Sequence, residues 1–329
     1  MIKALCLFSP VLFQLVKLYA RLCIKIYCRK IIINNPEYLK AKGPLLFAAN
    51  HPNSFLDGVI LTTLLEDNLY SLARGDAFNK PWHKKILLWL HQLPVYRTSE
   101  GVENLSHNYT TFKACQNVFK QKGMVMIFSE GRCINEWHLR PLKKGTARLA
   151  ISTWLKGIDL TVVPVGFNYS SFRNFGKNVF INFGSPLDRQ PVLEHVSDGK
   201  QFYYFNEQLK DQLEKLVFEI DPADKRKLKQ YLFIPQPVLK KIVLAIPALA
   251  GWVLHAPLYF SVKAITKKYF DNDHFDSVVA GLLMLAYLIY LPIICTIMAL
   301  VWGWQTGVAG IALVPFTAWA CVQIKKQID

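Results

Sequence analysis

The chain has 329 residues, a formal net charge of +16 and a hydrophobic content of 52%. This length allows one globular domain of typical size plus further segments, and the apolar content exceeds that of an ordinary soluble protein. The positive charge is compatible with nucleic acid, anionic lipid headgroups or phosphorylated substrates as partners. Because long apolar segments occupy both ends and no nucleic-acid-binding motif is present, we expect a membrane lipid partner and no nucleic acid.

The seven cysteines are informative about metal sites and compartment. They form no C-x-x-C pair and no Cys/His cluster with the spacing of zinc ligands, so we predict no metal site. We interpret them as reduced thiols, which is consistent with a globular part that faces the cytosol.

The first segment, residues 1–30, is predicted to be an amphipathic helix associated with the membrane. Residues 4–28 look like a secretory signal, but they lack a small-residue cleavage site and contain charges within the apolar pattern. On a helix, basic residues at every fourth position form a stripe that suits an anionic membrane interface. These residues are Lys17, Arg21, Lys25 and Arg29. The alternative is a plain amphipathic helix packed on the domain.

The second segment, residues 31–235, alternates short β-type runs with helical patterns, which indicates an α/β domain. The clearest predicted strands are 44–49, 124–128, 160–165 and 178–183. The predicted helices are 57–65, 82–91, 108–121, 145–155 and 202–218.

The third segment, residues 236–329, is predicted to be a C-terminal membrane region. No formally charged residue lies between Asp276 and Lys325, and one helical crossing of a bilayer takes roughly 20 apolar residues. We therefore predict transmembrane helices at 278–302 and 306–323. The alternative is a buried helical hairpin, but so long an uncharged run is difficult to bury in a domain of this size.

A further apolar run, 242–262, can either cross the membrane or enter it and return on the same side, because Pro247 and Pro257 interrupt it. Lysines precede and follow this run, and two more lysines follow the last predicted helix. Cytosolic loops are enriched in lysine and arginine, and all three lysine clusters can be cytosolic only if 242–262 is re-entrant. We favour that arrangement, with the globular domain on the cytosolic face of the membrane.

A histidine and an aspartate lie at a polar turn near the start of the α/β domain. The segment 45–58 is predicted to form a buried strand, a turn and a new helix, with Asn50, His51 and Asn53 in the turn. Asp57 follows His51 by six residues, so the turn can bring the carboxylate back to the imidazole. Such a pair fixes a histidine tautomer and raises its basicity. A lone histidine is more often structural, so this feature by itself leaves both interpretations open.

A second strand runs into a loop that carries one carboxylate and several cations. The loop contains Phe-Ser-Glu-Gly-Arg at 128–132 and Leu-Arg-Pro-Leu-Lys-Lys-Gly at 139–145, just before a predicted helix. Backbone N–H groups ahead of a helix can bind an anion, and basic side chains can neutralise a phosphate. The basic residues are Arg132, Arg140, Lys143 and Lys144. The alternative is a solvated basic loop.

Together these pieces resemble the PlsC-type glycerolipid acyltransferase superfamily. Its pattern is a histidine–aspartate motif, an arginine motif, an F-P-E-G motif and a V-P-V-type strand, in that order. The corresponding segments are Asn50-His51 to Asp57, Pro94-Val95-Tyr96-Arg97, Phe128 to Gly131, and Val163-Pro164-Val165-Gly166. The match covers about residues 44–190, and four ordered motifs are far more specific than one.

Two features depart from the common pattern of that superfamily. Five residues separate His51 from Asp57, where most members have four. The longer spacing is similar to that of the fungal-type glycerol-3-phosphate and dihydroxyacetone-phosphate acyltransferases, and we place the sequence nearest that branch. Ser129 also replaces the usual proline, and Arg132 precedes Cys133 where threonine-arginine is common.

The resemblance implies an α/β domain with a central, mostly parallel sheet flanked by helices. It also implies a membrane-bound O-acyltransferase of phospholipid biosynthesis, without a cofactor. The donor would be acyl-CoA or acyl carrier protein, and the acceptor glycerol 3-phosphate or 1-acylglycerol 3-phosphate. His51 would be the general base and Asp57 would orient its ring. The implied substrate-binding residues are Asn50, Asn53, Arg97, Glu130, Gly131, Arg132, Lys143 and Lys144. The basic ones would bind the acceptor phosphate, and Glu130 and Gly131 would shape the loop.

Other functions remain as alternatives at this point. Dihydroxyacetone phosphate or an amino-acid-based lysolipid could use the same base, and a non-catalytic lipid-binding or scaffolding protein could keep the domain. A serine hydrolase is disfavoured because no G-x-S-x-G motif is present. A metal hydrolase is disfavoured because no further ligands cluster with His51 and Asp57.

Overall fold

The computed structural model describes residues 9–96 and 107–328. A seven-stranded sheet forms the centre of the globular part, in the order β1-β7-β6-β2-β5-β3-β4. Its strands are β1 (Lys30–Asn34), β2 (Leu45–Ala49), β3 (Leu69–Arg74), β4 (Gln92–Val95), β5 (Met124–Phe128), β6 (Thr161–Tyr169) and β7 (Asn178–Phe183). All neighbouring strands are parallel except β6 and β7, which are antiparallel. The predicted α/β fold with a mostly parallel sheet is therefore confirmed.

The helices of the globular part are α1 (Pro10–Tyr27), α2 (Ser54–Leu64), α3 (Pro81–Trp89), α4 (His107–Lys120), α5 (Lys144–Trp154), α6 (Gln190–Leu193), α7 (Asp198–Leu216) and α8 (Lys225–Leu232). All four predicted strands and all five predicted helices of this part are present, with ends that differ by a few residues. Strands β1, β3 and β4 were not among the predictions. β4 is an edge strand that contains Pro94, and proline weakens the sequence signal of a strand while being tolerated at an edge.

Two hydrophobic cores lie on the two faces of the sheet, and β2 contributes to both. Phe47 and Ala49 face a core built with α1 and α2, whereas Leu46 and Ala48 face a core built with α4, α5 and α7. Side chains of a strand alternate between faces, and strands buried on both faces are apolar throughout. All five residues of β2 are buried, so the strand forms a rigid base for the turn that follows it.

The basic stripe of α1 contacts the protein rather than the surroundings. Lys17 Nζ donates to the carbonyl oxygens of Glu66 and Asp67, both at 3.2 Å, and Arg21 donates to the carbonyl oxygen of Thr63. The carbonyl of Thr63 lies in the last turn of α2, where backbone oxygens have no partner within the helix, and those of Glu66 and Asp67 lie in the loop just after it. Arg29 likewise donates to Gly176, Gln323 and Lys325 carbonyls. The expectation that this stripe meets an anionic interface is therefore wrong for these three residues.

The outward face of α1 is apolar. Its exposed side chains include Val11, Leu15, Leu18 and Leu22. We therefore expect any membrane association of α1 to depend on these apolar side chains rather than on the basic stripe.

Three C-terminal helices are long and apolar enough to cross a membrane. They are α9 (Val238–Tyr269), α10 (Phe275–Trp302) and α11 (Trp304–Ile324). The predicted helices at 278–302 and 306–323 fall within α10 and α11, and Gly303 between them has a φ of 92°, which favours glycine. Large apolar side chains of α10, such as Leu285, Leu288 and Ile289, are exposed. This exposure contradicts the alternative of a buried helical hairpin.

Helix α9 contains the run 242–262 and continues through both Pro247 and Pro257. It packs along both α10 and α11: the hydroxyl of Tyr290 donates to the carbonyl oxygen of Leu254 at 2.6 Å, and Gly251 lies against the main chain of Thr317. Lys240 Nζ donates to Gln323 Oε1 at 2.8 Å, and the ring of Tyr259 lies 5.9 Å from Lys325 Nζ. Residues near both ends of α9 thus reach the last turn of α11.

Candidate active site

His51 and Asp57 are held together at the carboxyl end of β2. His51 Nδ1 lies 3.0 Å from Asp57 Oδ2. The side chain of Asp57 is fully buried, and that of His51 is 13% exposed. The turn between β2 and α2 therefore folds the aspartate back on the imidazole, as the spacing predicts. Engagement of Nδ1 leaves Nε2 as the ring nitrogen that can take a proton.

Two further groups fix the carboxylate of Asp57. The backbone N–H of Asn53 donates to Oδ2 at 3.0 Å, and the hydroxyl of Tyr169 donates to Oδ1 at 2.6 Å. Burial, and then the nearby charge of Asp57, raise the pKa of Tyr169 well above its usual value, so this hydroxyl keeps its proton and remains a donor. No role was predicted for Tyr169, because only the parallel pairing of β6 with β2 brings it to Asp57.

Asn50 and Asn53 support the turn. Asn50 exchanges two hydrogen bonds with the backbone of Phe167, at 3.0 and 2.7 Å. Asn53 Nδ2 donates to Asp276 Oδ2 at 2.7 Å. Both asparagines are buried, and neither lines the cavity at His51. The prediction that these two residues bind substrate is therefore corrected, because their amide groups already bond to other parts of the protein.

Glu130 joins the two loops that form the site. Its Oε2 accepts the backbone N–H of His51 at 2.7 Å, and its Oε1 accepts that of Arg140 at 2.8 Å. Burial raises the pKa of Glu130 to about 7, although both hydrogen bonds oppose that shift. The adjacent Gly131 has a φ of 68°, and a Cβ there would lie 3.1 Å from Lys143 Cγ. These contacts agree with the predicted role of both residues in shaping the loop.

The aromatic ring of Phe128 supports the imidazole from one side. The ring centroids of His51 and Phe128 are 3.6 Å apart, with an interplanar angle of 14°. Phe128 is the last residue of β5, which pairs with β2 so that Phe128 lies opposite Ala49. The sheet register therefore sets the position of both rings.

A cavity of about 1910 Å³ is lined by His51, by a group of basic side chains, called here the basic part, and by a group of apolar side chains, called here the apolar part. The basic part is lined by Arg74, Lys113, Arg132, Lys143, Lys144, Arg148 and Lys156. The apolar part is lined by Phe13, Val16 and Ala20 of α1, Phe55 and Val59 of α2, and Met284 of α10. Such a cavity can accept a molecule with a charged end and a hydrocarbon end.

Three of the predicted phosphate ligands, Arg132, Lys143 and Lys144, are exposed and line this cavity. None of them forms an ion pair with another residue that the structure describes. Arg140 instead pairs with Glu136 at 2.5 Å and lies outside the cavity. Arg97 falls in the gap between the two described ranges, so its role stays a prediction.

No metal centre accompanies these groups within residues 9–96 and 107–328, where no three histidine, cysteine, aspartate or glutamate side chains are grouped to hold an ion.

The departure at Ser129 is accommodated locally. Its hydroxyl accepts a hydrogen bond from Thr146 Oγ1 at 3.0 Å, and both side chains are buried.

Comparisons with known proteins relate the chain to a family model and to solved structures. The family model described as Acyltransferase matches residues 30–168. A search of curated protein sequences finds no match. The crystal structure of the 1-acyl-sn-glycerophosphate (LPA) acyltransferase PlsC from Thermotoga maritima aligns with a TM-score of 0.42 and 15% identity, covering 62% of this chain and 79% of that chain. At this TM-score the likeness carries no conclusion about substrate or mechanism.

Proposed function

We propose that the protein moves a fatty-acyl group from a thioester donor to the hydroxyl of a phosphorylated glycerol acceptor, and the match of residues 30–168 to the Acyltransferase family model supports this proposal. One observation carries this proposal. His51, oriented by the buried carboxylate of Asp57, lines a cavity that has both basic and apolar side chains in its wall. A glycerol phosphate acceptor and an acyl chain have these two chemical characters.

In the proposed reaction, His51 Nε2 removes the proton of the acceptor hydroxyl as its oxygen attacks the thioester carbonyl carbon. The new carbon–oxygen bond forms, the carbon–sulfur bond breaks, and the proton on His51 passes to the departing thiolate. No acyl-enzyme is required. General-base assistance of this kind contributes about 10² to 10⁴ in rate, and alignment of the two substrates contributes much of the remainder.

We propose that the acceptor phosphate binds the basic part of the cavity. Arg132, Lys143 and Lys144 line it next to Gly131, whose main chain lies close to Lys143. Arginine and lysine form charge-assisted hydrogen bonds with phosphate oxygens. The carboxylate of Glu130 would repel phosphate, and its two backbone hydrogen bonds fit a supporting role in the loop.

We propose that the acyl chain occupies the apolar part of the cavity, between α1, α2 and α10. Val59, Met284 and the aromatic side chain of Phe55 line this part. Removal of hydrocarbon from water favours such binding by roughly 0.8 kcal/mol for each buried CH₂ group. The exposed apolar face of α1 would then lie against lipid, from which an acylated substrate can enter.

We further propose that the domain lies on the cytosolic face of the membrane. The contacts of Lys240 with Gln323 and of Lys325 with the ring of Tyr259 bring lysines near both ends of α9 and the C-terminal end of α11 to one side. Lysine-rich segments are retained in the cytosol. In this arrangement α10 and α11 cross the bilayer, and α9 is re-entrant.

The test is acyl transfer by the detergent-purified protein, with labelled palmitoyl-CoA or palmitoyl-carrier protein as donor. Glycerol 3-phosphate, 1-acylglycerol 3-phosphate, dihydroxyacetone phosphate and an amino-acid-based lysolipid are supplied separately. We expect transfer to a glycerol phosphate acceptor that His51→Ala abolishes. His138→Ala is the matched control, because that histidine is exposed and pairs with Glu219 away from the cavity.

The remaining outcomes distinguish the alternatives. Transfer only to the lysolipid would replace the proposed acceptor while keeping His51 as the base. A folded preparation that transfers acyl groups to none of the acceptors would favour a non-catalytic lipid-binding protein.

A further inference from the structure

The first turn of α10 packs directly on the turn that carries His51. Ser277 Oγ donates to the carbonyl oxygen of Asn53 at 2.6 Å and accepts the backbone N–H of Leu56 at 3.2 Å. Asn53 is the residue that caps the N-terminus of α2, and its own side chain makes no capping hydrogen bond. The side chain of the N-cap residue usually accepts the N–H of the third residue of its own helix, which in α2 is Leu56. Here a helix of the membrane region supplies the acceptor instead.

Asp276, the neighbour of Ser277, is the centre of a buried polar cluster. Its Oδ2 accepts hydrogen bonds from Asn53 Nδ2 at 2.7 Å and from Lys177 Nζ, and its Oδ1 accepts the hydroxyl of Tyr27 at 2.6 Å. The side chains of Lys177 and Asp276 are both fully buried. Every oxygen of the carboxylate therefore has a partner, and these partners come from α1, the β6–β7 connection and the catalytic turn.

A short chain of contacts leads from this cluster to the imidazole. Asp276 and Ser277 hold the side chain and the carbonyl of Asn53, the N–H of Asn53 donates to Asp57 Oδ2, and the same oxygen contacts His51 Nδ1. A shift of Asn53 would therefore change the contact that orients the imidazole. A buried ion pair adds little to stability by itself, because desolvation offsets the attraction, but it does define one arrangement of the groups that satisfy it.

We propose that Asp276 and Ser277 are positioning residues of the His51–Asp57 pair, so that the membrane hairpin forms part of the catalytic apparatus in addition to anchoring it. The two residues touch neither the reacting atoms nor the cavity wall. The expected effect on kcat rests on the proposed acyl transfer, whereas the expected effect on the orientation of His51 does not.

Two double variants separate positioning from the loss of buried charge. Lys177→Met/Asp276→Asn removes both charges but keeps an amide oxygen that can accept from Asn53. Lys177→Met/Asp276→Leu removes the same charges and also that acceptor. We expect kcat to fall at least tenfold further in the leucine variant than in the asparagine variant, with the KM for the acyl donor equal in the two.

A second readout does not depend on acyl transfer. Diethylpyrocarbonate modifies unprotonated imidazole, and the rate at His51 can be measured by peptide mass spectrometry of the full-length protein at pH 8. Because the contact of Asp57 with Nδ1 orients the ring and leaves Nε2 as the nitrogen that reacts, we expect this rate to be at least threefold lower in the leucine variant than in the asparagine variant.

Single variants test Ser277 in the same way. Ser277→Ala is expected to lower both kcat and the His51 modification rate. Thr266→Val is its matched control, because Thr266 is a buried hydroxyl of α9 that donates only to Val262 in its own helix. Asp271→Asn is a second control. Asp271 lies in the loop between α9 and α10 and pairs with Arg173 of the globular part, without touching the catalytic turn.

The outcomes are distinguishable. Equal kcat and equal His51 modification in the two double variants, with Ser277→Ala behaving as Thr266→Val does, would overturn the positioning role. A difference in His51 modification in a protein that transfers no acyl group would support positioning and reject the proposed reaction. A leucine variant that does not fold leaves the decision to Ser277→Ala against its control.

Discussion

The catalytic pair and the basic part of the cavity are built in opposite ways. His51 and Asp57 are buried or nearly so. Hydrogen bonds from Asn53 and Tyr169 fix the carboxylate, and Glu130 accepts the backbone N–H of His51. The lysines of the basic part are exposed and form no ion pair with described residues. Under the proposed function, the groups that would act on every acceptor are thus fixed by hydrogen bonds, and the side chains that would bind the acceptor phosphate are free to adapt. Substitutions in the two regions should therefore affect different kinetic constants.

The largest effect is expected from breaking the rigid region at Asp57. In wild type, Asp57 Oδ2 accepts the N–H of Asn53 and contacts the imidazole. Asp57→Asn puts an amide N–H in place of this carboxylate oxygen, so the ring loses its orienting partner. We expect kcat to fall by about 10² to 10⁴. The measurement is steady-state acyl transfer. Asp224→Asn serves as the control because Asp224 caps α8 away from the cavity, and an equal loss in both variants would argue against a special role of Asp57.

A smaller effect, on a different constant, is expected from the adaptable region. The double variant Lys143→Ala/Lys144→Ala should raise the KM for a phosphorylated acceptor about tenfold with little change in kcat, because exposed charges contribute modestly to binding. Added salt should raise the wild-type KM and affect the variant less. Arg140→Ala, which lies outside the cavity, should leave the KM unchanged. A fall in kcat with constant KM would contradict the separation of roles.

The smallest effect concerns stability and links the two regions through Glu130. The folded-state pKa of about 7 lies above the usual value near 4.5, so between these values folded Glu130 retains a proton that the unfolded chain releases. Linkage then requires the free energy of unfolding to decrease as pH rises through this interval. We expect the melting temperature to fall by a few degrees between about pH 5 and 8.

Glu130→Gln removes that titration and should flatten the pH dependence of the melting temperature, although the variant loses one acceptor for a backbone N–H. The comparison is therefore between slopes and not between absolute temperatures. Identical slopes in wild type and variant would show that Glu130 does not titrate in this range.

The local part of the site was predictable because its residues are close in sequence. A buried apolar strand, a polar turn and a helix place His51 and Asp57 within one turn of chain, and the same logic identified Glu130 and Gly131 after β5. The branch assignment suggested by the longer histidine–aspartate spacing stays a prediction. The roles of Asn50 and Asn53 were mistaken, because a polar residue beside a catalytic histidine has the same sequence signal whether it faces substrate or protein.

The sequence by itself determined the α/β class, the order of the motifs, the juxtaposition of His51 and Asp57 and the two long apolar helices α10 and α11, since hydrophobic periodicity and short-range turns specify these features. Only the tertiary structure decided that basic residues of α1 bind backbone carbonyls at and after the end of α2 and that Tyr169, Lys177 and Asp276 join the site. Those contacts connect positions far apart in the chain. Their partners are chosen by sheet register and by helix packing, which no local pattern encodes.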